Sequence, residues 1–98
     1  MTGLVILDEA GQDIQRLTEF LLAQHPEDAV GLVEIIVSAL KILQQHPEIG
    51  RPNKLPLREL VISRGKSGYL ALYWFNQLED RVEVIRIRHQ RESGYKSY

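Results

Sequence analysis

The chain contains no cysteine, one tryptophan, one methionine and four prolines in 98 residues. Without cysteine, a disulfide framework, a thiolate metal site and a cysteine nucleophile are all excluded. No apolar run approaches the roughly 20 residues that a membrane-spanning helix needs, and the first residues lack the basic start and apolar core of a secretion signal. We therefore expect a cytoplasmic protein that makes no contact with a membrane.

Length and composition indicate a single domain over residues 1–98. A chain of this size with 44% apolar residues can build one hydrophobic core. The core is small, however, because a short chain buries a smaller fraction of its surface than a long one. We expect modest stability, to which a partner could contribute.

Positive charge is scarce in the first half of the chain. Residues 1–50 contain two basic residues, Arg16 and Lys41, against eight acidic ones, which gives a net charge of −6. Residues 51–98 contain ten basic residues against five acidic ones, which gives +5. Such clustered charge steers association with a charged partner. The alternative explanation is that helices collected glutamate and strands collected arginine without any partner.

The first half predicts one strand and two helices. Residues 4–7 form a short apolar run typical of a buried strand. Asp8 can cap the helix that follows, which the His25-Pro26 pair ends because proline removes a donor. A second helix is predicted from Pro26 to His46, and both histidines are expected to act as helix caps.

The second predicted helix is apolar on more than one side. Val30, Val37 and Ile42 fall partly or wholly outside its main apolar stripe. Such a helix either lies between two layers or shows apolar surface to a partner. These three residues are therefore candidates for a partner-binding groove.

The second half predicts three strands at residues 57–63, 69–75 and 81–89, joined by turns. The resulting order is strand, helix, helix and three strands. We expect an α+β fold in which an N-terminal strand and an antiparallel helical hairpin pack on an antiparallel β-sheet.

The last strand predicts a basic surface. Period-two alternation sets Ile85 and Ile87 on one face, and Arg86 and Arg88 on the other together with Val82 and Val84. Because the nearest following carboxylate is that of Glu92, we expect an exposed basic patch without internal counter-ions. The same pattern leaves the face of Trp74 undetermined, so that this residue could belong to the core or to an exposed platform for stacking.

Several segments together resemble the RelE/ParE toxin superfamily, and the similarity covers nearly the whole chain. They are the helical hairpin, the Gly50-Arg51-Pro52 loop, the Leu57-Arg58-Glu59-Leu60 strand start, the Tyr69–Tyr73 strand and the Ile85–Arg91 ending. Members are toxins of bacterial type II toxin–antitoxin modules. The resemblance implies a cognate antitoxin, and contact with operator DNA only through that antitoxin.

The superfamily has a nuclease branch that this sequence matches only in part. RelE-like members cut messenger RNA on the ribosome and use cationic side chains at positions that are Val61, Ser63 and Leu70 here. RNA cleavage needs a base, an acid and cations that stabilise the phosphorane. The remaining candidates for catalysis are weak ones: His89, Arg91 and Tyr95.

The second branch, the ParE-like toxins, inhibits DNA gyrase without a known nuclease site, and residues 57–60 and 89–91 resemble it more closely. We therefore expect a gyrase inhibitor, with a ribosome-dependent mRNA endoribonuclease and a non-toxic, antitoxin-binding relative as alternatives. The resemblance implies no cofactor, and three scattered histidines indicate no metal site. The residues expected to bind target or antitoxin are Arg58, Arg64, Lys66, Arg86, Arg88, His89, Arg91, Tyr95 and Tyr98.

Two members of this set have simpler structural explanations. Arg58 could pair with Glu83 or with another carboxylate near Glu59, and so hold the ends of two strands together. His89 could be a hydrogen-bonded histidine at the end of a strand. Both explanations predict side chains occupied within the chain, so the structure can distinguish them from free docking residues.

Overall fold

The computed structural model describes residues 1–65 and 67–97, without the side chain of Arg64. Lys66, Tyr98 and the Arg64 side chain, all expected in the basic surface, lie outside this described part. The elements in chain order are β1 Gly3–Ile6, α1 Asp8–Gln24, α2 Pro26–Ala29, α3 Leu32–Lys41, a 3₁₀ turn Ile42–Gln44, β2 Arg51–Pro52, β3 Arg58–Arg64, β4 Ser67–Asn76 and β5 Arg81–His89.

The strands form one sheet in the order β1-β5-β4-β3-β2. Strands β2 to β5 pair antiparallel with their neighbours, whereas β1 runs parallel to β5. The predicted α+β architecture is confirmed. The sheet is mixed because β1 lies next to β5 and runs in the same direction. No helix in the described ranges has the length and apolar character to cross a membrane.

The second arm of the helical hairpin is shorter than the sequence predicts. Val30 is extended and Gly31 adopts a φ of 85°, so α2 stops at Ala29 and α3 begins at Leu32. Glycine takes this left-handed conformation without the steric cost that a side chain brings. The predicted continuous helix from Pro26 to His46 was therefore wrong.

Backbone groups rather than side chains end the first helix. His25 is the C-cap of α1, where its N–H donates to the Leu21 carbonyl at 2.7 Å, and it is also the N-cap of α2, where its carbonyl accepts the N–H groups of Asp28 and Ala29. Asp8 is the first residue of α1 and makes no cap, although it lies with Glu9 in the first turn, where the helix dipole favours an acid. The expected capping role of His25 is confirmed, whereas that of Asp8 was wrong, and that of His46 was wrong because Gln45 caps the 3₁₀ turn.

The hydrophobic core lies between the helices and one face of the sheet. From the helices it takes residues such as Leu32, Ile36 and Leu40, and from the sheet Tyr73 and Ile87, all fully buried. Burial of such side chains stabilises the fold by about 1.5–3 kcal/mol each. The opposite face of the sheet, called the outer face below, carries the alternate residues of β4: Leu70, Leu72 and Trp74.

A β-bulge at Ile85 changes which side chains of β5 share a face. Leu72 pairs with Arg86 while Tyr73 pairs with Val84, so Ile85 is an extra residue in the ladder. Val82 and Val84 consequently lie in the core, opposite in direction to Arg86 and Arg88. The period-two prediction was right for the two arginines together and wrong in placing the two valines with them.

Gly50 is held where a side chain does not fit. Its N–H donates to the buried Tyr73 hydroxyl at 2.8 Å. A Cβ at Gly50 would stand 2.6 Å from the Tyr73 ring and 2.9 Å from the Glu59 carbonyl oxygen. This contact orders the loop that precedes β2.

We predict that Gly50→Ala lowers the free energy of unfolding by about 2–4 kcal/mol, because it overpacks the Tyr73 site and weakens a buried hydrogen bond. Gly11→Ala is the matched control, since a Cβ there meets nothing within 4 Å and the position is helical. The control should be neutral or stabilising by about 0.5–1 kcal/mol. Urea unfolding of both variants measures this, and equal stability of the two variants would contradict the packing role.

Candidate functional site

Arg86, the centre of the expected basic patch, is buried against the first helix. The residue is only 6% exposed, and its Nε and Nη2 donate at 2.8 Å to the two oxygens of Asp13, which is 2% exposed. The Glu9 carboxylate lies at 3.5 Å. The expectation that Arg86 is an exposed docking residue was wrong because α1 supplies it with carboxylates.

Strand pairing explains why Asp13 reaches this position. β1 pairs with β5 only as far as Val84, which leaves the next part of the β5 edge without a neighbouring strand. Asp13 fills this gap, where its Oδ2 accepts the Ile87 N–H at 2.9 Å. Burial opposes ionisation of Asp13, but the hydrogen bonds from Arg86 and Ile87 outweigh it and lower the pKa of this carboxyl.

Arg88 is engaged with the C-terminal segment, residues 90–97. Its Nη1 donates to the Glu92 carbonyl at 2.6 Å, and its guanidinium lies 5.2 Å from the centre of the Tyr95 ring, within the range of a cation–π contact. Its Nε is buried without a hydrogen-bond partner among the described residues. The Glu92 carboxylate in turn accepts from Arg16 and from the His89 N–H, both at 2.9 Å.

Tyr95 covers the outer face instead of standing free for a partner. Its hydroxyl donates to Glu59 at 2.6 Å, and the Arg51 Nε donates to the same carboxylate at 2.8 Å. Leu70 and Leu72, which share the outer face with Glu59, are buried. Burial and the Glu59 contact raise the pKa of Tyr95 far above that of a free phenol, so its proton stays in place at neutral pH.

His89 is a packed histidine at the end of β5. Its ring meets the Tyr69 ring edge-on at 5.1 Å, and its Nδ1 accepts the Arg91 N–H at 3.1 Å. Burial and the nearby Arg91 charge lower the pKa of His89, so the imidazole is neutral at pH 7. These contacts match the strand-end explanation considered for this residue.

The remaining expected cations differ in exposure. Arg58 donates from Nη1 to the Gly50 carbonyl at 2.8 Å, which is a structural bond but not the predicted pair with Glu83. Arg91 is exposed, and its guanidinium makes no hydrogen bond or ion pair with another residue that the structure describes. The expected patch is therefore reduced to one exposed arginine among the described side chains of β5 and the residues after it.

The positions that match the nuclease cations have no catalytic chemistry of their own. Val61 and Leu70 face each other across β3 and β4 on the outer face, and Ser63 is exposed nearby.

A separate cluster of three exposed side chains brings ligand atoms within 4.8 Å of one another: His25, Glu27 and Asp28. Exposed acidic clusters of this kind are common without an ion, so this one does not identify a metal centre.

Two sets of exposed apolar residues on the described part of the chain are candidates for contact with a partner. On the helical side, Val30 and Ile42 are exposed and Val37 is half-buried. The second set was missed and surrounds an open depression of about 610 Å³. Three of its apolar lining residues lie in loops, which carry no periodic signal, and the full apolar lining is Leu55, Pro56, Trp74, Phe75 and Leu78.

Comparison with known proteins identifies relatives over almost the full length. A family model described as the ParE toxin of the type II toxin–antitoxin system parDE matches residues 4–94. The chain is 35% identical over 92 residues to Toxin RelE3 of Caulobacter vibrioides, which covers 94% of this chain and 98% of that protein. It is 33% identical over 93 residues to Toxin RelE1 of the same organism, with the same coverage of 94% and 98%.

Solved structures share the fold. The chain is similar to one in a chromosomal ParDE system from P. aeruginosa, with a TM-score of 0.75, 26% identity and coverage of 91% of this chain and 96% of that one. It is also similar to a chain of the RelBE2 toxin–antitoxin complex from Mycobacterium tuberculosis, with a TM-score of 0.56 and 93% coverage of both chains. At 20% identity, this second likeness concerns the fold alone.

We predict that Arg86→Ala destabilises the protein by about 3–5 kcal/mol, because it leaves the buried Asp13 carboxylate without its partner. Arg91→Ala is the matched control and should change the free energy of unfolding by no more than about 0.5 kcal/mol. Chemical denaturation at neutral pH measures both values. Equal, small effects would mean that Arg86 faces solvent after all.

Proposed function

This chain belongs to the ParE toxin family of type II toxin–antitoxin systems, within the RelE/ParE superfamily, and we propose that it acts by binding DNA gyrase and blocking supercoiling. The proposal concerns the target, since the toxin class follows from the family. Inhibition by binding requires a complementary surface and no catalytic constellation. The toxin is then an inhibitor rather than an enzyme.

The observation that carries this proposal is the state of the outer face, where a nuclease would need its catalytic groups. Val61 and Leu70 offer neither a cation nor a base. Arg86 is bound to Asp13, and Arg88 is bound to main-chain carbonyls. Tyr95 keeps its proton in a bond to Glu59. General acid–base catalysis needs groups that can exchange protons near neutral pH, and the described side chains of this face offer none, which favours inhibition by binding over RNA cleavage.

Ribosome-dependent RNA cleavage is the second candidate because the curated relatives are named RelE toxins. Its chemistry would fall on His89 and Arg91, which lie together at the end of β5. His89 is neutral at pH 7 and could accept a proton, and Arg91 is exposed and could meet a phosphate. The neighbouring cation, Arg88, is bound to the main-chain carbonyls of residues 89, 90 and 92, which leaves phosphorane stabilisation to Arg91.

We further propose that a cognate antitoxin neutralises the toxin by laying an amphipathic helix on Val30, Val37 and Ile42. The family match and the similar chain of a chromosomal ParDE toxin–antitoxin system support such a partner. An apolar helix face fits an exposed apolar groove by the spacing of its anchors. Contact with operator DNA would come through the antitoxin, since the helical half of this chain has a net charge of −6.

We predict that the purified toxin inhibits supercoiling by DNA gyrase and leaves ribosome-bound messenger RNA intact. Relaxed plasmid, gyrase and ATP with increasing toxin provide the first measurement, and primer extension on translating ribosomes provides the second. Cleaved message with unaffected supercoiling would establish the nuclease alternative. Inactivity in both assays, with harmless expression in bacteria that lack the antitoxin, would indicate a non-toxic relative.

We predict that Ile42→Asp weakens antitoxin binding by at least about tenfold, because a charge would be buried under the antitoxin helix. Ile49→Asp is the matched control, since Ile42 is 50% exposed and Ile49 is 57% exposed. Calorimetric titration with the antitoxin encoded beside the toxin gene measures both affinities. Unchanged affinity of the Ile42 variant, or an equal loss in the control, would contradict the groove.

A further inference from the structure

We propose that the free edge of β4 at Trp74–Asn76 is the docking site for the target and takes an extended, apolar segment that carries a lysine or arginine. This inference rests on the proposed inhibition of gyrase and specifies where and how the toxin would bind the enzyme. It replaces the basic patch that the sequence predicted for the same role. The observations that carry it are the strand pairing, the lining and the charge of one depression.

The end of β4 has a neighbour on one side only. β3 begins at Arg58, which pairs with Tyr73, so the last three residues of β4 extend past it. On their other side these residues pair with Glu83, Val82 and Arg81 of β5. An unpaired strand edge is a template on which a further strand can form main-chain hydrogen bonds.

The loop before β3 leaves this edge open. Leu57, the next residue in line, donates its N–H to the Lys54 carbonyl at 3.2 Å and accepts the Asn53 N–H at 2.9 Å. Its main-chain groups are therefore used within its own loop. Over residues 1–65 and 67–97, no main-chain bond reaches Trp74–Asn76 from the side of β3.

Apolar side chains flank the open edge. Leu55 is 80% exposed and Leu78 is 98% exposed, and both line the depression together with the partly exposed Trp74. Exposed leucines in loops gain nothing from their position in the free protein. Tryptophan and large apolar groups gathered at one depression are typical of the anchors that dominate protein–protein binding energy.

The charge of the depression determines which charge a docked segment should carry. Glu48 and Glu79 are exposed carboxylates in the lining. Arg58 also lines the depression and adds one positive charge, although its guanidinium is held by the Gly50 carbonyl, so the lining keeps a net negative charge. A lysine or arginine on the docked segment would meet the two carboxylates, whereas an acidic segment would be repelled by them. The occupant is therefore basic as well as apolar.

This site is separate from the surface assigned to the antitoxin. Its lining includes none of Val30, Val37 and Ile42. Substitutions in the depression should consequently alter target binding without loss of antitoxin binding. That difference provides a control for folding in every variant below.

The test compares the double variant Leu55→Ser/Leu78→Ser with the wild-type toxin. Immobilised toxin is titrated with purified gyrase, and supercoiling inhibition is measured in parallel. Both leucines are highly exposed, so the fold should tolerate the change. We expect gyrase affinity to fall at least about tenfold, because two apolar anchors are lost. Val61→Ser, at another exposed apolar residue, should stay within about twofold of wild type.

The charge requirement is tested with Glu79→Lys, for which we expect at least about threefold weaker gyrase binding at low salt. Glu27→Lys, an exposed glutamate in α2, is the control and should leave binding unchanged. Thermal unfolding and antitoxin affinity confirm that each variant is folded.

If the double variant and Glu79→Lys inhibit as strongly as wild type, or the control variants lose as much gyrase binding as these do, the docking site is wrong while gyrase inhibition stands. If wild-type toxin does not bind gyrase, the proposed function itself is refuted, and this docking site with it.

Discussion

The bond between Asp13 and Arg86 ties the first helix to the last strand, and the arrangement of the charged residues depends on it. It joins two residues 73 positions apart with two contacts of 2.8 Å in a nearly water-free position. A buried charge is tolerated only when it is paired and hydrogen-bonded. Asp13 also closes the β5 edge through the Ile87 N–H, so one carboxylate satisfies both the arginine and the strand.

Much of the fold follows from local patterns. Residues 81–89 were predicted and found as a strand, and the helical hairpin follows from apolar spacing and the His25-Pro26 break. The helix break at Gly31 was not predicted, because a single glycine is often tolerated within a helix at a cost of about 1 kcal/mol. The bulge at Ile85 carries no sequence signal, since an extra residue in a ladder is set by the pairing of two distant strands.

The candidate site was harder to predict than the fold. Alternation correctly set Arg86 and Arg88 on one face. The sequence does not show, however, that Asp13 and the C-terminal segment accept hydrogen bonds from their guanidinium groups. Clustered arginines mark a binding surface only if no carboxylate or carbonyl of the same chain reaches them first. Leu55 and Leu78 went unnoticed because isolated apolar residues in loops belong to no period. Recognition of the target would then rely on an open strand edge and apolar anchors.

The most direct test of this internal pairing is a pH titration of the Asp13 carboxyl carbon by NMR. Burial alone would raise the pKa of Asp13, whereas the bonds from Arg86 and the Ile87 N–H lower it. We predict a pKa below the ordinary aspartate value of about 3.9. A pKa at or above that value would contradict the pairing and return Arg86 to the surface as a docking residue.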